Sequence, residues 1–290
     1  MRVALATFLS VTLSALIAVC ACVGAAARVP QEPRAPFVFV MIDAKTEAAL
    51  GEFPYDRAVL AKAVERAAAA KARAVVLNFY LDKPKSADGD RALAAAMRKL
   101  TVVLPACIRS EAEKLPEPNP LPVRFQVMRY PKDQPKAIGG KSAWIPIPDF
   151  AESAAGIGFS DGIGSIEKIP IVEAYRGAYV KSFWTICLEL AFNDGALITP
   201  GRELNINDKP LELDEQSIAT IEFPKADRVE TISFVDFING KTPDAAILDR
   251  VLIIGADTAK MAMVNTPIGK LGMHRAMNLQ LLALYAHFAQ

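Results

Sequence analysis

The chain has 290 residues, with 33 Lys and Arg against 32 Asp and Glu, a formal charge of +1, 52% hydrophobic residues and 22% charged residues. That balance excludes intrinsic disorder of the bulk, which needs low hydrophobicity and high net charge, and a nucleic-acid binder driven by overall charge, which needs a basic surplus. Four Cys in this length exclude a disulfide scaffold.

Val3 to Ala27 are 25 consecutive residues without Asp, Glu, Lys or Arg, flanked by Arg2 and Arg28. A bilayer core of about 30 Å needs roughly 20 helical residues, so the stretch is long enough to span one. A cleavable signal peptide has a shorter apolar region of about 7–15 residues. Ala25, Ala26 and Ala27 nevertheless supply the small residues of a cleavage site, and Val19-Cys20-Ala21-Cys22 is similar to a lipoprotein box. Position at the chain start favours export over a buried core helix. Residues 1–27 therefore read as a signal peptide or N-terminal membrane anchor, and residues 28–36, with three Pro, as an extended tether. Residues 37–290 are expected to form one extracytoplasmic (periplasmic) domain, either anchored or released. Its two thiols, Cys107 and Cys187, each lie in an apolar run; separate burial and pairing in an oxidising compartment both remain open.

Phe37–Ile42 is continuously apolar and ends at Asp43, the pattern of a strand covered on both faces. Asp56 can cap a helix to about Ala70, with Val59, Leu60, Ala63, Val64 and Ala67 at helical spacing. Ala74–Leu77 gives a second strand with Asn78 at its end. Asp88 or Asp90 opens a helix through Arg98-Lys99, and Thr101–Leu104 a third strand with Arg109 beyond. This alternation predicts an α/β fold with a mostly parallel sheet and flanking helices. Further on come an edge strand at Arg124–Tyr130, a hairpin over 156–171 turning at Asp161-Gly162, and an apolar helix Phe183–Phe192. Short alternating strands at 204–206, 211–213 and 219–223 add antiparallel hairpins. A capping box at Ser233–Asp236, a buried strand Val251–Ile254 and a closing helix Met273–Ala289 complete the pattern.

Open parallel sheets place ligands at the carboxyl ends of their strands. Asp43, Asn78, Arg109 and Asp257 stand at or just past such ends, and are the candidate ligand-binding residues. Convergence would give two carboxylates, an amide and a guanidinium for a small polar molecule; the alternative is that Asp43 and Asp257 cap the turns that follow them. Gly158-Phe159-Ser160-Asp161-Gly162 matches G-x-S-x-G, but a nucleophile elbow needs a helix after the serine, and Ile166–Pro170 reads as a strand. A base for Ser160 would have to be His274 or His287, the two histidines of the chain. No catalytic residue, no metal site and no cofactor is expected, because the Cys and His spacings fit no zinc site and no glycine pattern spells a nucleotide loop. Dispersed Lys and Arg give no nucleic-acid stripe.

One ordered series of motifs runs through the chain: Ile42-Asp43, Leu50-Gly51-Glu52-Phe53-Pro54-Tyr55-Asp56-Arg57, Ala72–Val76 and Asp88-x-Asp90 before Leu93-Ala94. It continues with Asp161-Gly162 followed by Lys168 and Pro170, and Ser233-x-x-Asp236-x-x-x-Gly240. The series closes on Asp249-Arg250-Val251-Leu252-Ile253-Ile254-Gly255-Ala256, Thr266-Pro267, Gly272 and Asn278. In this order the motifs resemble the second type of CHASE domain, a family of extracellular sensory modules associated with cyclases and histidine kinases. Four positions depart from the family pattern. Asn78 replaces a usual aspartate, Ala262-Met263-Val264 an acidic site, Ala276 a histidine and Glu167 an arginine. The resemblance implies a sensory domain for an unknown small ligand. With the chain ending at Gln290, its output is expected through a partner: a membrane kinase or cyclase, or a second copy in a homodimer. The alternatives are a serine hydrolase using Ser160 and a structural envelope module that has lost its binding groups.

Overall fold

A computed structural model of the protein describes residues 35–109, 118–129 and 136–290. The expected export segment, residues 1–27, and all but the last two residues of the tether lie outside the described residues. Seven strands form the central sheet. They are β1 (Phe37–Ile42), β2 (Ala74–Leu77), β3 (Val102–Arg109), β4 (Ser142–Trp144), β5 (Gly156–Phe159), β6 (Thr231–Ser233) and β7 (Val251–Ala256). Their order is β6-β1-β7-β2-β3, with β5 parallel along Val103–Ala106 of β3 and β4 antiparallel along Cys107–Arg109. All other pairings are parallel, and β1 runs in register with β7 from Phe37↔Val251 to Ile42↔Ala256.

The reason for continuous apolar runs is visible residue by residue. Val38, Val40 and Ile42 of β1, Leu252 and Ile254 of β7, and Val75 and Leu77 of β2 enter one core. Phe37, Phe39, Val251, Ile253, Ala74 and Val76 enter the other. Alternate side chains point to opposite faces, so a sheet covered twice leaves no position for a polar residue.

Four helices cover the first face: α2 (Arg57–Ala69), α3 (Ala87–Met97), α4 (Pro148–Ser153) and α6 (Phe234–Ile238), α1 (Ala44–Leu50) being the short helix directly after β1. The second face is covered by α5 (Phe183–Phe192) and α7 (Met273–Ala289). Asp56 caps α2 as expected, its Oδ1 accepting from Ala58 N–H at 2.8 Å. The α3 cap is Ser86 and not Asp88 or Asp90. Its hydroxyl donates to Asp56 Oδ2 at 2.6 Å and accepts from Gly89 N–H, leaving both aspartates inside the first turn. Ser233 precedes α6 but forms no capping box, because its hydroxyl donates to Asp43 at 2.8 Å. Thr46 Oγ1 takes over as acceptor for Val235 N–H at 3.2 Å.

Antiparallel additions surround this frame. Val172–Tyr175 and Ala178–Lys181 form a hairpin at Arg176-Gly177, both at positive φ, and Gln126–Arg129 joins as the edge strand. Leu197–Thr199, Glu203–Ile206 and Lys209–Glu212 form a meander whose second turn uses Asn207-Asp208. The hairpin expected over 156–171 does not form. Gly156–Phe159 is β5, buried throughout and parallel to β3, whereas Lys168–Pro170 pairs with Ile218–Thr220. Asp161-Gly162 has no positive φ; the left-handed residue of that loop is Gly164. Gly158 explains the burial: a Cβ there would lie 2.6 Å from the Phe183 Cα, so its absence lets α5 close onto β5. Among the described residues no helix is long and apolar enough to cross a membrane.

Candidate functional site

The carboxyl ends of β2, β3 and β5 open into a cleft of about 970 Å³. Asn78 to Tyr80 enter it directly after β2, Cys107 and Arg109 from β3, and Ser160 to Ser165 from the loop after β5. The first turns of α7 close another side with His274, Met277 and Gln280, and Trp144 of β4 adds a ring. Helices and loops leave the strands here, so this edge of the sheet is the one left open by the topology.

Polar groups on the floor are engaged with one another. Asn78 is buried and its amide donates to Met277 Sδ at 3.6 Å. Ser160 Oγ donates to the Ala106 carbonyl at 3.2 Å and lies 3.0 Å from the Tyr80 hydroxyl. Asp161 accepts from Ile108 N–H at 2.9 Å and from the Cys107 thiol at 3.4 Å. Behind it sits Glu173, fully buried, with no other group donating to either carboxyl oxygen. Burial, and then the Asp161 charge, raise the Glu173 pKa well above the usual carboxylate range, so the pair holds a proton on Glu173. Burial also pushes the Cys107 thiol up to about 12, which makes it a thiol and not a thiolate. Cys107 and Cys187 are both free and buried, not paired.

The rim carries cations and rings. Arg109 stacks on Trp144 with its guanidinium carbon 3.9 Å from the ring centroid, and Tyr80 leans on the same ring at 5.2 Å. Arg57 lies 3.9 Å from Asp90; burial lowers its pKa and the Asp90 charge offsets part of that effect. His274 Nδ1 accepts from Ala256 N–H at 2.8 Å, and desolvation takes its pKa down to about 4, so the ring is neutral near pH 7.

Of the four residues expected to converge, Asn78 and Arg109 line the cleft and Asp43 and Asp257 do not. Asp43 caps α1, accepting from Thr46 N–H at 2.8 Å, Thr46 Oγ1 at 2.7 Å and Ser233 Oγ. Partial burial raises its pKa, but these donors outweigh that and hold it below the usual value. Asp257 lies 3.7 Å from Arg275, which also pairs with Asp227. The two aspartates are therefore occupied by structural partners. No helix follows Ser160, and its hydroxyl is directed at Ala106 and Tyr80, so the arrangement of a nucleophile elbow is not formed. Tyr80, Trp144 and Lys83 line the cleft beyond the residues that the sequence picks out, and Lys168, a match to the family pattern there, lines it without being a site candidate. Tyr80 follows Asn78 by two residues and was within reach of the strand-end rule; Trp144 and Lys168 reach the cleft only through pairings remote in sequence. Two of the family departures, Asn78 and the stretch with Ala262 and Val264, also line it. Among the described residues no group of three or more His, Cys, Asp or Glu is placed to hold a metal ion.

Fold and cleft together define a single α/β domain of the open, mostly parallel type, with a concave opening at the carboxyl ends of its strands. A family model for the CHASE2 domain matches residues 9–288, nearly the whole chain. The chain belongs to the CHASE2 domain family, which comprises extracellular sensory domains. Neither the curated proteins nor the solved structures give a match.

Proposed function

We propose that this protein is a periplasmic sensor whose small ligand enters the cleft above β2, β3 and β5, and whose response is carried by a partner protein. The observation that carries the reading is the cleft itself. It has the volume of a small-molecule site and lies where an open parallel sheet places its ligands, in a member of a sensory family. In this reading the uncharged stretch Val3–Ala27 delivers the domain across the inner membrane and anchors it unless it is cleaved. Occupancy favours one docking state of the domain toward a membrane kinase or cyclase, or toward a second copy, because a ligand shifts an equilibrium only by binding one state better.

A plugged cleft tests the reading. Gly162 lines the cleft, has open space where a Cβ would stand and needs no positive φ, so Gly162→Trp introduces a ring at the cleft with no close contact at its Cβ. The low-molecular-weight fraction of an envelope extract is expected to raise the melting temperature of the parent protein and not that of Gly162→Trp. An equal shift in both proteins, or none in either, overturns the assignment.

A further inference from the structure

We infer that the cleft is built for an organic anion carrying an apolar, ring-sized body. The inference rests on the cleft being the ligand site and adds the class of ligand. Among the described residues four cations line it: Arg57, Lys83, Arg109 and Lys168. Only two carboxylates stand against them, Asp82 and Asp161. Asp161, turned to Ile108 N–H and the Cys107 thiol, also faces Arg109, and Asp90 faces Arg57 at 3.9 Å, which leaves Lys83 and Lys168 against Asp82. Lys83 and Lys168 are exposed, and neither forms an ion pair with a described residue. His274 adds no compensating group, being neutral near pH 7.

The cleft is therefore a concave site with surplus positive charge, and low-dielectric walls focus such a field on the opening. An amphipathic cation would meet the like charges of Lys83 and Lys168 there. The remainder of the lining decides the body. Phe53, Phe79, Tyr80 and Trp144 present rings, and Met261 and Met277 present thioethers. The hydroxyl of Ser160 and the amides of Asn78 and Gln280 already have protein partners, which leaves the Trp184 Nε1–H and the Asn265 amide for a polar group on that body. A bare inorganic anion would leave the rings wet and the volume unfilled.

Three probes sharing one ring separate charge from shape: indole-3-acetate, indole-3-acetamide and tryptamine, titrated calorimetrically into the full chain. Indole-3-acetate is expected to bind at least about tenfold more tightly than the acetamide, tryptamine to show no saturable binding, and the double variant Lys83→Gln/Lys168→Gln to erase the difference. Equal binding of acetate and acetamide, or tighter binding of tryptamine, overturns the inference and leaves the cleft as a ligand site. Acetate binding that persists undiminished in Gly162→Trp places the anion elsewhere and overturns it as well. If none of the three binds, the inference fails, and the extract experiment decides separately whether the cleft is a site at all.

Discussion

At His274 a single ring joins three elements. Its Nδ1 holds the last amide of β7, its ring meets Phe79 edge-on at 5.8 Å, and Gly255 leaves space for it, since a Cβ there would lie 3.1 Å from Nδ1. The folded ring titrates at about 4 and the unfolded one near 6.5. Between those values the unfolded chain binds a proton that the folded chain refuses, so stability present above pH 6.5 is lost as the pH falls toward 4, by at most about 3 kcal/mol. Glu173 acts with the opposite sign: its raised carboxyl costs stability as the pH climbs above the ordinary Glu value. Comparing variants isolates the histidine. His274→Asn sets its Oδ1 where Nδ1 stands and keeps an acceptor for Ala256 N–H without a titrating ring. Its urea midpoint is expected to change less between pH 7 and pH 5 than the parent's, and an equally steep fall would exclude His274 as the source.

The β5–α5 contact shows which elements a sequence can disclose. Gly158→Ala puts a methyl 2.6 Å from the Phe183 Cα, against backbone that cannot rotate away. Overpacking of this kind costs about 1–3 kcal/mol. Gly162→Ala, with nothing within 4 Å, is expected to leave the urea midpoint unchanged; equal midpoints for the two variants would contradict the packing argument. β1 and β7 were legible because each is a six-residue apolar run buried on both faces. β5 was not, because two of its four residues are glycines and its burial comes from a neighbour's backbone rather than from its own side chains. The same distinction holds in the cleft. Asn78 and Arg109 follow from strand ends alone, whereas Trp144 arrives by antiparallel pairing of β4 and Lys168 on a strand held by Ile218–Thr220. Asp43 stands at a strand end for a different reason, and only the donors around it distinguish a helix cap from a ligand.

For the molecule as a whole, membership of an extracellular sensory family fits the uncharged amino-terminal stretch. Alkaline phosphatase fused after Gln290 is expected to be active in intact cells, and β-galactosidase at the same point inactive; the reverse pattern would place the domain in the cytosol and remove the sensory reading of its cleft. The length of α7 bears on how occupancy would be felt elsewhere. Its 17 residues make a rod of about 25 Å whose first turns touch the cleft and whose last turns carry Tyr285, packed on Phe37 with ring centroids 5.6 Å apart. Phe37 opens β1 at the amino ends of the strands, away from the cleft. Tyr285 thus rivets the far end of the rod to the opening strand, so the helix that walls the cleft at Met277 is tied to β1 at its other end.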